Sequence, residues 1–225
     1  MKKLIKAIAL SGTIITVPAP VTLKASAAES APDGGYSRAV NMMRWQERIF
    51  KNSTTYRSVV LDGERVLRGE ADGSASALYQ NRNINLRRTP YIHWRWRIED
   101  TLDLDLNERE KDGDDYVTRL YVVRNGGLAF WRTKAIIYVW SNNQPVGTTW
   151  ENPYAGPEVR MWAVDSGSEH VGQWRSHARD IRADWLAAFG EEIDSIDGLA
   201  LMTDTDNSGL FARAWYADIH FSSEP

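Results

Sequence analysis

Cysteine is absent from the 225 residues. That excludes a disulfide framework, a thiolate metal site, a cysteine nucleophile and a lipid-attachment cysteine. Long apolar runs are scarce as well. The longest lies near the start, Ala7 to Val17 (AIALSGTIITV), and falls well short of the ~20 apolar residues that a spanning helix needs. Basic runs are also missing, and the formal net charge is −3. Nucleic-acid affinity, which depends on phosphate neutralisation, has no evident source here. Neither does attraction to an anionic membrane surface.

Familiar catalytic signatures are missing too. No G-x-S-x-G elbow occurs, since Ser166-Gly167-Ser168 lacks the flanking pattern. The four histidines, His93, His170, His177 and His220, form neither H-E-x-x-H nor an i, i+4 pair, which argues against a histidine zinc site. Gly126-Gly127 reads as a hairpin turn and not as a phosphate loop. No organic cofactor is implied.

What is present begins with an export signal. Met1-Lys2-Lys3 supplies a positive start, Ala7 to Val17 an apolar segment, and Ala25-Ser26-Ala27 a small-x-small cleavage pattern. Residues 1–27 therefore read as a signal peptide cleaved near Ala27, which directs the chain to the periplasm or beyond. Cleavage removes Lys2, Lys3, Lys6 and Lys24 and no acid, so the formal net charge becomes −7. Residues 28–44 read as a partly disordered leader, small and polar over AESAPDGG. Residues 45–223 read as one domain, with no apolar stretch of membrane-spanning length. Its core depends on packing alone, and ten tryptophans are available for it.

From Trp45 the chain alternates short β runs with turn clusters. Thr55 to Leu61 and Arg65 to Ala71 flank Asp62-Gly63, a hairpin signal. Tyr91 to Ile98 alternates over its whole length, with Ile92, Trp94, Trp96 and Ile98 on one side and His93, Arg95 and Arg97 on the other. Further strands are predicted at Ala75 to Tyr79, Tyr116 to Val123, Ala135 to Trp140, Glu158 to Val164, Leu199 to Met202 and Ala212 to Phe221. One segment differs. Ile181, Trp185, Leu186 and Phe189 have helical spacing, Gly190 is a ready terminator, and Asp180 or Asp184 can serve the first turn. The expectation is an all-β, antiparallel β-sandwich of jelly-roll type with one short helix near residues 179–189. Charged residues 100–115 and residues 141–156 read as long loops.

Two constellations could carry chemistry. Asp204-Thr-Asp206-Asn-Ser208-Gly209 places oxygens at positions one, three and five with glycine at six, as a calcium loop does. The acid expected at position twelve falls on Trp215, so a strand-connecting turn stabilised by local Asp and Asn bonds remains the other reading. Asp103-x-Asp105-x-Asn107 is a weaker version without the glycine. The second constellation lies across the central strands. Arg95 and Arg97 share a face, Asp115, Val117, Arg119 and Tyr121 share another, and Tyr138 and Trp140 a third. If these faces coincide, they form a surface of rings, guanidinium groups and carboxylates suited to sugars. If they do not, the rings are core and the charges are ion pairs. A one-residue slip of register decides between the two.

In order, Trp94-Arg95-Trp96, Asp114-Asp115-Tyr116 with Arg119 and Tyr121, Tyr138-Val-Trp140, Arg179-Asp180, Phe189-Gly190, Met202-Thr-Asp204-Thr-Asp206-Asn207-Ser-Gly209 and Tyr216-Ala-Asp218-Ile-x-Phe221 resemble the bacterial secreted family known as domain of unknown function 3047 (DUF3047). That resemblance spans Trp45 to Phe221 and implies no activity. The closing pattern Tyr216 to Phe221 is also similar to the last strand of jelly-roll carbohydrate-binding modules. Some of those carry an acid there beside a structural calcium, which makes Asp218 a candidate partner of Asp204 and Asp206.

The sequence thus points to a non-catalytic binding module for a glycan or cell-envelope saccharide, with Arg95, Arg97, Asp115, Arg119, Tyr138 and Trp140 as its binding residues. Asp204, Asp206 and Asp218 are the candidate calcium ligands. Two alternatives stay open: a structural or partner-binding envelope protein, and a glycan-active hydrolase or lyase using Asp114 or Asp115.

Overall fold

The structure is a computed structural model that describes residues 45–102, 107–127 and 132–225. The signal and leader readings at 1–44, together with Asp103 and Asp105, lie outside the described residues. The strands are β1 (Gln46–Lys51), β2 (Thr55–Leu61), β3 (Glu64–Asp72), β4 (Ala75–Asn85), β5 (Tyr91–Ile98), β6 (Tyr116–Arg124), β7 (Lys134–Ser141), β8 (Thr149–Asn152), β9 (Gly156–Ser166), β10 (Arg175–Asp180), β11 (Ser195–Asp204) and β12 (Phe211–Ser222). The helix α1 (Ile181–Phe189) follows β10 directly.

These strands form two sheets. One has the order β1-β4-β11-β6-β7-β9-β8 and the other β10-β5-β12-β3-β2. The chain crosses between them repeatedly, although β2–β3 stay in the five-stranded sheet and β6–β9 in the seven-stranded one. Pairing among the described residues is antiparallel except between β7 and β9, which run parallel. Part of the segment read as a long loop at 141–156 accounts for this. It contains β8, which pairs antiparallel with the outer edge of β9. Strands β1, β8 and β10 have weak alternation in the sequence and become strands through the neighbours they pair with.

The core lies between the sheets. Ile92, Trp94, Trp96 and Ile98 of β5 meet Leu120 and Val122 of β6, Ile136, Tyr138 and Trp140 of β7, and Leu199 and Leu201 of β11. Trp94 stacks on Tyr138 with ring centroids 5.2 Å apart. Burying each such side chain contributes roughly 1.5–3 kcal/mol. A second apolar cluster, including Tyr121, Ile137, Val139, Trp150 and Met161, occupies the other side of the seven-stranded sheet. Apolar surface on both sides explains why β6 and β7 read as nearly unbroken hydrophobic runs.

The helix begins two residues later than its periodicity suggests, because Arg179 and Asp180 belong to β10. Asp180 caps it, accepting bonds from the backbone N–H groups of Arg182 (2.9 Å) and Ala183 (3.1 Å). Gly190 ends it at φ 67°, where a side chain would be strained. None of the described helices is long and apolar enough to cross a membrane.

Candidate functional site

The six residues expected to share a binding surface fall into separate places. Tyr138 and Trp140 point between the sheets and are buried. Tyr138 donates its hydroxyl to Asp184 Oδ2 at 2.6 Å, and Trp140 Nε1 donates to the Gly167 carbonyl at 2.9 Å. Their polar tips are thus satisfied inside the protein. Arg119 lies on the opposite side of the seven-stranded sheet, fully buried. The reason is a bulge: Met202 pairs with Arg119, but Asp204 pairs with Tyr116. The extra residue in β6 inverts the alternation, so Val117 faces the core while Arg119 and Tyr121 face away. The expected single surface therefore does not form.

Arg95 and Arg97 do lie together, on the outer side of the five-stranded sheet. Register places Arg97 opposite Trp215, Trp215 opposite Arg68, and Arg68 opposite Arg57. These four residues form a row across β5, β12, β3 and β2. At about 4.8 Å per strand it runs about 14 Å. The Arg97 guanidinium is 5.5 Å from the Trp215 ring centroid, and Arg95 is 5.0 Å from that of Trp174, just ahead of β10. Both rings are partly exposed. Acids steady the cations: Arg97 pairs with Asp62 at 3.1 Å, and Arg95 with Glu64 at 2.6 Å and with Asp218. Trp174 and Trp215 were not anticipated. Trp215 alternates with buried Ala214 and Tyr216, a signal that could have placed it on the outer side.

Asp218 is also clear of the acids it was expected to join. It sits at a bulge in β12, between the Ala217–Arg95 and His220–His93 pairs, in the left-handed region at φ 55°. That bulge aims it at Arg95 on the five-stranded sheet. Asp115 takes its place. One carboxylate oxygen from each of Asp115, Asp204 and Asp206 lies within 4.8 Å of the others. Asp115 accepts from the backbone N–H groups of Asn207 (3.2 Å) and Ser208 (2.7 Å), which ties the turn after β11 to the start of β6. Arg119 clamps Asp204 through Nε at 2.8 Å and Nη2 at 2.5 Å, and reaches Asp114 at 3.3 Å.

Asp204 and Asp206 of this cluster border a cavity of about 120 Å³ that Phe50, Asp114, Tyr154 and Asn207, among others, also line. Burial pushes the Asp114 carboxyl up to about 6 against the opposing pull of Arg119. Burial likewise raises Asp204 well above the ordinary carboxylate range. A larger cleft of about 740 Å³ is bordered by Arg124, Arg132, Lys134, Glu158, Glu191 and Trp185, among others. Lys134 is tied there to Glu191 at 2.6 Å, and the Trp185 ring is fully buried. Charged groups of both signs, without an exposed ring face among those six, make it the weaker saccharide site.

A family model described as protein of unknown function (DUF3047) matches residues 43–220. No curated protein matches the chain. Among solved structures, a family 61 carbohydrate-binding module in complex with β-1,4-galactotriose is similar at 11% identity, covering 81% of this chain and 90% of its own, with a TM-score of 0.38. The xyloglucanase domain of a type three effector from Sinorhizobium fredii, in complex with cellobiose, is similar at 11% identity, covering 80% and 93%, with a TM-score of 0.43. A family 30 carbohydrate-binding module of a Clostridium thermocellum cellulosomal cellulase is similar at 12% identity, covering 80% and 98%, with a TM-score of 0.35.

Proposed function

We propose that this chain, which belongs to the DUF3047 family of proteins of unknown function, is an exported, non-catalytic module that binds an extended glycan or cell-envelope saccharide. One observation carries the reading: the register that sets Arg97, Trp215, Arg68 and Arg57 in a row on the outer side of the five-stranded sheet. Sugars present apolar C–H faces and hydroxyl rims. A partly exposed indole takes the former by stacking, and guanidinium forks donate to the latter. Trp174 with Arg95 extends the surface at the β10 side, and the acids that steady the arginines offer acceptors for hydroxyl protons. Of the residues expected from sequence, Arg95 and Arg97 remain in this role, whereas Asp115, Arg119, Tyr138 and Trp140 serve the interior.

The test is titration against a broad oligosaccharide panel, read by tryptophan fluorescence and calorimetry. The double variant Trp174→Ala/Trp215→Ala is expected to lose at least tenfold in affinity while keeping its melting temperature, because both rings are partly exposed. Binding that persists in that variant, or silence across the panel, overturns the proposal. Product release from a polysaccharide that disappears in Asp114→Asn would instead favour the hydrolase or lyase alternative.

A further inference from the structure

We propose that Asp115, Asp204 and Asp206 hold a calcium ion next to the 120 Å³ cavity that Asp204 and Asp206 line. Their three nearest oxygens lie within 4.8 Å of one another. Oxygens on opposite sides of calcium, bound at 2.3–2.6 Å each, stand about 4.6–5.2 Å apart. Three ligands of one ion stand closer together than an opposed pair, so separations of at most 4.8 Å let the three acids share it after small side-chain adjustments. Magnesium demands a tighter shell, about 4.2 Å across.

A second observation points to a ligand independently of the cluster. Asp114 Oδ2 has no hydrogen-bond partner, its side chain is 1% exposed, and it lines the same cavity. Its other oxygen accepts from Arg119 and Asn152; a buried carboxylate oxygen without a donor is costly, and a cation in the cavity would supply the missing partner. Charge balance agrees. Arg119, the buried guanidinium here, pairs with Asp114 and Asp204, and its charge and that of Lys51 also act on Asp206, so four neighbouring carboxylates meet two cations. Lys51 donates to the Asp206 backbone carbonyl at 2.5 Å, and Lys111 lies 5.6 Å from the Tyr154 ring centroid.

The donors are all oxygen, which suits a hard cation and not zinc or copper. Each Asp115 oxygen accepts one backbone N–H and keeps a further lone pair. The ion would bridge β6, β11 and the turn that follows β11, closing one end of the seven-stranded sheet. It stands apart from the saccharide row, so either proposal can fail alone.

Terbium luminescence on the full chain, without saccharide, tests the site directly, because Tyr116 and Tyr154 lie close enough to sensitise the ion. Emission is expected to rise on titration and to be displaced by calcium at concentrations where magnesium has no effect. Calcium is also expected to raise the melting temperature by several degrees over chelator. In Asp206→Asn both responses should weaken at least tenfold in apparent affinity. Asp206 is the informative position because its carboxylate is partly exposed, whereas Asp115 holds the turn. Asp206→Ser serves if the amide misfolds. Asp112→Asn, an exposed acid outside the group, should behave as the parent does. Absence of calcium-displaceable emission, equal displacement by magnesium, or an unchanged response in both Asp206 variants overturns the proposal.

Discussion

Asp165 shows how one side chain can join two sheets. Its carboxylate, on β9, accepts from Trp96 Nε1 (2.6 Å) and Arg175 Nε (2.9 Å), and pairs with His177 Nε2 (2.7 Å), all from the five-stranded sheet. Burial pushes its carboxyl upward, but the hydrogen bond and charge of His177, followed by Trp96 and Arg175, outweigh it and leave the group below the ordinary range. A depressed carboxyl contributes stability above its unfolded pKa, ~3.9, and loses it as pH falls through the folded value. Asp165→Asn is thus expected to lose about 1.5–3 kcal/mol at pH 7. Its stability should also vary less with pH below about 4. Urea denaturation between pH 2 and pH 7 checks both; a parallel downward offset at every pH would refute the linkage. Nothing in the sequence around Asp165 announced this role, since its three partners lie on β5 and β10 and meet it only when the sheets pack.

At the level of elements, bulges and turns decide where the acids go. The β6 bulge turns Arg119 to the cavity side, and the β12 bulge turns Asp218 away from it. The approach to Asp114 depends on a glycine in a short 3₁₀ turn, Lys111–Gly113. A Cβ on Gly113 would stand 2.4 Å from the Asn107 carbonyl oxygen and 2.7 Å from its carbon, both backbone atoms. Gly113→Ala should therefore force the 107–114 segment apart, costing about 1–3 kcal/mol, and displace Asp114 from the cavity. Chemical denaturation measures the cost, and wild-type stability in this variant would show that the close approach is unimportant. The helix was legible to within two residues because its cap and terminator, Asp180 and Gly190, are local signals. Strand β10 was not, because its exposed edge carries no alternating apolar pattern.

For the whole molecule, export is the expectation with the plainest chemical consequence. Expression in a bacterial host is expected to yield a periplasmic or secreted species that begins near Ala28, identified by N-terminal sequencing and intact mass. A species that retains Met1-Lys2-Lys3 would exclude cleavage. The sequence by itself determined the two-sheet class, the apolar side of β5, the helix α1 and the presence of an acid-rich turn after β11. Each of these is written in spacing along one segment: period two, period 3.6, or oxygens at alternate positions. Only the tertiary structure decided which sides of β6, β7 and β12 meet. Tyr138 and Trp140 became core, Arg95 and Arg97 were paired with unanticipated tryptophans, and Asp115 replaced Asp218 beside Asp204 and Asp206. The physical reason is that side-chain direction in a sheet is a parity, and one inserted residue reverses it for everything that follows.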